Sequence, residues 1–157
     1  MIAQNEPLFL EDLSVGQRFA SSSHRITTDE IIAFASEFDP QPFHTNEKAA
    51  ENTFFQGLAA SGWHTAAITM RLLVKGALPL AGGAIGLSGE ISWPRPVRPG
   101  DTLTVETEII EITPSRSKPH QGIVTVRSVT HNQNNEIVQI FTSKVLAFRR
   151  GYRPGTA

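Results

Sequence analysis

Ser61-Gly62-Trp63-His64-Thr65-Ala66-Ala67-Ile68-Thr69-Met70-Arg71-Leu72-Leu73-Val74-Lys75-Gly76 is the stretch on which the fold turns. Ser61 offers a hydroxyl cap for a helix over Gly62–Lys75, and Gly76 offers its stop. Trp63, Ala66, Ala67, Ile68, Met70, Leu72, Leu73 and Val74 cover most of the circumference, which predicts a buried helix. Beyond the loose segment Ala77–Gly86 the residue pattern becomes that of strands, over Leu87–Trp93, Leu103–Ile112, Ile123–His131 and Ile137–Phe148. The apolar alternation at Leu103 and Val105 changes phase before Ile110 and Ile112, so a bulge is expected near Ile109. Asn132–Asn135 reads as a hairpin turn, and Pro99-Gly100-Asp101 as a turn into a strand.

Upstream, Thr27-Thr28-Asp29-Glu30 has the form of a capping box, and Ile31, Phe34, Ala35 and Phe38 follow at helical spacing. A helix over Thr28–Phe38 is expected, ended by Pro40, with a shorter one near Asn46–Glu51. A first strand is placed around Gln17–Ile26. With four consecutive antiparallel strands after the helices, the order is that of an α+β layer arrangement, one sheet covering one helix. The chain has no internal repeat and no linker, and its 157 residues suit one domain spanning 1–157.

The chemistry that composition excludes is informative. A net charge of −1 with interleaved signs gives no footprint for nucleic acid or an anionic membrane surface. The absence of cysteine removes disulfides, thiolate metal sites and a thiol nucleophile together. Met1–Pro7 lacks the basic and apolar regions of a signal peptide, and no run reaches the roughly 18 apolar residues of a membrane span. A reducing cytoplasm is the expected location.

Phe38-Asp39-Pro40-Gln41-Pro42-Phe43-His44 carries a carboxylate and an imidazole, the side chains best suited to proton transfer near neutral pH, around two prolines that stiffen the backbone. An extended proline-rich segment rises roughly 3.1 Å per residue, so the two meet only if the chain folds back. The same segment also reads as a helix-ending turn with Asp39 bonding nearby backbone and His44 half buried. A helix beginning at Gly62 aims unpaired N–H groups and a positive dipole end at whatever precedes it. Having no side chain, Gly62 either admits close approach of a polarised oxygen to its N–H or serves tight packing.

Asp39-x-x-Pro42-x-His44 followed by Gly62 resembles the hydratase motif of the MaoC-like dehydratases, the (R)-specific enoyl-CoA hydratases. The helix before Asp39, the long helix from Gly62 and the turn Trp93-Pro94-Arg95-Pro96-Val97-Arg98-Pro99-Gly100-Asp101 support the resemblance over most of the chain. It implies a hotdog fold, a long central helix wrapped by an antiparallel sheet, usually paired as a homodimer with the acyl tunnel near the interface. It further implies a cytoplasmic hydro-lyase of fatty-acid metabolism, acting on acyl-CoA or acyl-carrier thioesters with no metal or other cofactor beyond the coenzyme A of the substrate. The family's carboxylate and histidine fall on Asp39 and His44, and its thioester-oxygen donor on Gly62. Gln41 and Ser61 are expected to help position substrate. Where the family often has asparagine before the proline, this chain has Gln41, whose amide makes the same bonds from a longer arm.

Other readings compete. A hotdog thioesterase is one, since fold does not settle function, and a non-catalytic acyl-thioester binding subunit is another. Ser61 lacks the first glycine of a Gly-x-Ser-x-Gly elbow, that position being Ala59, and the five histidines have no zinc-like spacing. His24, His120 and His131 read as surface or satisfied residues, and His64 lies in the first turn of the buried helix. Arg95, Arg98, Arg116 and Lys118 are either contacts for coenzyme A phosphates or solvated loop charges. Met70, Leu72 and Leu73 either line an acyl tunnel or belong to the core.

Overall fold

A computed structural model describes residues 6–153 of the chain. Most of Met1–Pro7, read above for the lack of a leader, lies outside the described residues. Helix α1, Thr28–Phe38, starts on the expected capping box: Glu30 N–H donates to the Thr27 hydroxyl and Thr27 N–H to the Glu30 carboxylate. Two four-residue helices follow, α2 over Pro42–Thr45 and α3 over Glu47–Ala50. The reading of the sequence placed only the second of these, because two prolines two residues apart argued for a turn. In fact Pro42 occupies the first helical position, where its missing N–H costs nothing.

Helix α4 covers Gly62–Leu72 and then widens into a π-helical turn over Leu73–Ala77, so the expected end at Lys75 falls inside that turn. Its predicted all-round burial needs correction. His64, Thr65, Ile68, Thr69 and Leu72 are buried, whereas Trp63, Met70 and Val74 are exposed. The sheet covers one side of the helix only. Two threonines point inward, and part of the apolar surface counted around the helix points outward.

The strands are β1 (Arg18–Ala20), β2 (His24–Arg25), β3 (Ile85–Ser92), β4 (Thr102–Pro114), β5 (Gln121–His131) and β6 (Ile137–Phe148). The single first strand expected over Gln17–Ile26 is two short ones, both antiparallel to β4. The whole sheet is antiparallel in the order β1-β4-β5-β6-β3, with β2 also on β4. The bulge lies between Ile109 and Glu111, where the alternation slips. Leu103, Val105, Thr107 and Ile109 of β4, with Val124, Val126, Ser128 and Thr130 of β5, face inward and are buried. Each fully buried aliphatic side chain stabilises the fold by about 1.5–3 kcal/mol relative to exposure. A helix lying across one concave antiparallel sheet is the hotdog fold.

β3 departs from this pattern. It pairs with β6 alone, and seven of its eight residues are exposed, Ile85 and Leu87 among them. Arg98 is no solvated loop charge: its guanidinium donates to the carbonyls of Phe55, Gly57 and Leu58 and ties the segment before α4 to the turn after β3. Leu72 and Leu73 belong to the core, and Met70 faces outward. Among the described residues no helix is long and apolar enough to cross a membrane.

Candidate active site

The chain between Asp39 and His44 folds back, which is what the residue spacing alone left open. Asp39 closes α1, its N–H donating to Ala35, and Gln41 N–H then donates to the Asp39 carbonyl. With Pro42 starting α2 immediately afterwards, His44 comes round on the single turn of that helix. Its Nε2 lies 3.4 Å from Asp39 Oδ2, with the imidazole almost fully buried and the carboxylate partly so.

The tautomer follows from the other ring nitrogen. His44 Nδ1 lies 2.6 Å from the carbonyl oxygen of Ala59, which can only accept, so Nδ1 carries the hydrogen. The neutral ring then presents Nε2 as an acceptor toward an acceptor carboxylate. At 3.4 Å, two acceptors are held favourably only when a donor such as water bonds to both, or when the pair shares a proton.

Asp39 is oriented by two donors. Gln41 Nε2 gives a hydrogen bond of 2.5 Å to Oδ1, and the Ser61 hydroxyl one of 2.7 Å to Oδ2. Burial pushes the Asp39 carboxyl up, but the bonds from Gln41 and Ser61 and the nearby His44 outweigh it and hold the group below the usual carboxylate range. Gln41 and Ser61, expected to position substrate, are here bonded to the carboxylate. Ser61 also caps α4, accepting from Trp63 N–H at 3.2 Å. One hydroxyl therefore joins the start of the central helix to Asp39.

As the first residue of α4, Gly62 has no intrahelical acceptor for its N–H. It lines the same cleft as Asp39 and His44, together with Phe54, Phe55, Thr65, Trp93 and Arg95. The cleft has a volume of about 540 Å³. Gly62 is also packed: a Cβ there would lie 2.7 Å from Cε2 of the Trp93 indole. The tight-packing reading of this glycine is the one these contacts show. Arg95 stands on the rim beside Glu136 at 3.6 Å. Arg116 and Lys118 fall in the β4–β5 turn, at the opposite end of β5 from Thr130, and do not line the cleft.

Trp93, Phe54 and Phe55 were not singled out as site residues by the sequence. Trp93 heads the Trp93–Asp101 turn that supported the resemblance, and only the fold shows that its ring lies on Gly62. Among the described residues, no group of three or more histidine, aspartate or glutamate side chains is placed to hold a metal ion.

The MaoC like domain family matches residues 12–132. The chain belongs to the MaoC-like family. The crystal structure of the MaoC-like dehydratase from Rhodospirillum rubrum superposes on this MaoC-like protein with a TM-score of 0.90 at 61% identity, covering 92% of this chain and 99% of that one. An (R)-specific enoyl-CoA hydratase of the same organism is 31% identical over 69% of this chain and 74% of its own. A 3-hydroxybutyryl-CoA dehydratase of Methylorubrum extorquens is 30% identical over 75% and 74% respectively. In this MaoC-like protein the matched region runs from before β1 to the end of β5 and contains every residue of the cleft.

Proposed function

We propose that this protein is an acyl-thioester hydro-lyase that adds water to a trans-2-enoyl-CoA or carrier-bound enoyl thioester, giving an (R)-3-hydroxyacyl thioester, or runs the reverse dehydration. The observation that carries the proposal is the 3.4 Å approach of Asp39 Oδ2 to His44 Nε2 in a cleft that Gly62, the first residue of α4, also lines. One water donates to both acceptors. Its oxygen attacks C3, its proton passes to the Asp39–His44 pair, and the C2=C3 electrons move onto the thioester oxygen as an enolate. That oxygen faces the Gly62 N–H and the positive end of α4, so the contact strengthens as charge develops. The pair then returns the proton to C2, which completes the addition. Asp39 and His44 act as one coupled acid–base unit.

Relatives named as a 3-hydroxybutyryl-CoA dehydratase and an (R)-specific enoyl-CoA hydratase support this reading. The chemistry needs no metal or redox cofactor, and coenzyme A enters as part of the substrate. The expected setting is the cytoplasm. The working form is a homodimer: β3 is an edge strand with exposed Ile85 and Leu87, Trp63, Met70 and Val74 of the helix are exposed as well, and a second copy would cover such apolar surface.

Incubation with trans-2-butenoyl-CoA tests the proposal, following loss of the enoyl-thioester absorbance and trapping the product with an (R)-specific 3-hydroxyacyl-CoA dehydrogenase. Oxidation of the product supports it. Release of free thiol without hydration makes the protein a thioesterase. Binding with neither reaction makes it a non-catalytic acyl-thioester subunit.

A further inference from the structure

Behind the cleft lies a buried polar relay that the proposed reaction does not use. Trp93 Nε1–H donates to Gln139 Oε1 at 2.9 Å, Gln139 Nε2–H donates to Thr69 Oγ1 at 3.0 Å, and Thr69 Oγ1 lies 2.8 Å from Thr130 Oγ1. Gln139, Thr69 and Thr130 have essentially no exposed surface, whereas Trp93 keeps 39% of its own. The indole is held on three sides: by Gln139 at its N–H edge, by Gly62 against its face and by Trp63 at 80° to its plane. A side chain with two rotatable bonds and contacts of this kind is a fixed surface, not a mobile flap.

The direction in which an acyl tail can extend follows from charge. The rim toward solvent carries Arg95 and the almost fully exposed Phe54, and the phosphates of coenzyme A stay with water on that side. The tail beyond C3 then runs away from that rim, along buried Thr65 and the 39%-exposed Trp93 ring, which line the cleft and bound it on this side. Past that boundary stand Thr69, Thr130 and Gln139. Their hydrogen bonds satisfy one another, and an inserted alkyl chain would break them without replacing them.

We propose that Trp93, locked by Gln139, is a specificity-determining wall of the acyl subsite and makes this protein favour short acyl thioesters over long ones. The inference rests on the hydro-lyase reading for its substrate, and the test separates the two. Wild type, Trp93→Ala, Trp93→Phe and Gln139→Leu are compared on trans-2-butenoyl-CoA and trans-2-octenoyl-CoA. Affinities for saturated butyryl-CoA and octanoyl-CoA are measured in parallel by calorimetry, with thermal melting as the check on folding.

The expected result is a wild-type kcat/KM that favours the four-carbon substrate by about 10-fold or more. Trp93→Ala should reverse much of that ratio, and Gln139→Leu part of it by freeing the ring. Trp93→Phe, which keeps the packing but removes the donor and part of the ring, serves where the alanine variant does not fold. Equal use of both lengths by wild type overturns the proposal. So does a uniform fall for both lengths in every folded variant, the mark of a merely structural tryptophan. A length-dependent affinity shift without turnover of either enoyl substrate keeps the wall and overturns the hydro-lyase reading instead.

Discussion

Replacing Gly62 by alanine puts a methyl group where the Trp93 indole already is. The added Cβ would lie 2.7, 2.8 and 2.9 Å from Cε2, Cδ2 and Cζ2, about 1 Å inside the normal carbon–carbon contact. The ring cannot easily slide away, because its N–H is bonded to buried Gln139 and its flank meets Trp63. Overpacking of this kind costs about 1–3 kcal/mol, and alanine's better helix propensity offsets about 0.5–1 kcal/mol. The net loss of about 0.5–2 kcal/mol corresponds to a melting temperature lower by about 1–8 °C in a domain of this size.

The same displacement moves the Gly62 N–H, and in the proposed mechanism weakening its contact to the thioester oxygen lowers turnover by about 10² or more. Thermal melting by circular dichroism and kcat/KM for trans-2-butenoyl-CoA are the assays. Combining Gly62→Ala with Trp93→Ala makes room for the methyl group, so the double variant should melt higher than the sum of the two losses implies. A Gly62→Ala protein that melts and turns over like wild type would refute the reasoning, as would strict additivity in the double variant.

Removing the Ser61 hydroxyl, by Ser61→Ala, takes one donor from Asp39 and the cap from α4. The carboxyl should rise toward its ordinary value, moving the acid limb of the kcat/KM profile to higher pH, with about 1 kcal/mol of stability lost with the cap. In wild type the lowered folded-state value of Asp39 makes its ionised form stabilising above the unfolded value of 3.8. That contribution disappears as pH falls through the lower folded value, so Asp39→Asn should flatten the acid end of the stability curve. Burial holds His64 below its ordinary 6.5 despite the opposing pull of Glu30, and its Nδ1 is buried with no partner among the described residues while the ring stacks on Phe34. Charging His64 therefore costs stability as pH drops below 6.5, and a His64→Phe variant should gain in melting temperature over wild type between pH 7 and 5. Arg98→Lys loses the fork that reaches three carbonyls and should cost about 2–3 kcal/mol by denaturant titration, with a small effect expected at an ordinary surface arginine.

What the sequence made legible was local. The Thr27–Glu30 box, the bulge after Ile109, the Asn132–Asn135 turn and the strand language from Leu103 onward depend on neighbours within a few residues, and each lies where expected. The Gly62–Lys75 helix was visible, but which side it buries was not, because Thr69 is satisfied inside by Thr130 and Gln139, far along the chain, while Thr65 bonds back to the Ser61 carbonyl. The short α2 turn escaped because it depends on Pro42 as a helix start rather than a breaker. Arg98 and Trp93 have roles set by carbonyls and a glycine roughly 30 to 40 positions away, which no periodicity records. Asp39 and His44 were legible as residue types and through the family motif, whereas their 3.4 Å approach and the Ser61 and Gln41 bonds needed the fold.

The central claim is that Asp39 and His44 handle one water as a unit. It is tested most directly by kcat/KM for trans-2-butenoyl-CoA in Asp39→Asn, His44→Ala and the double variant, each shown to be folded. Each single change should lower the rate by about 10² to 10⁴, and the double should be scarcely worse than the more damaged single, because removing either partner already disables the pair. Losses that multiply in the double variant, or near-wild-type turnover in either single, would contradict it.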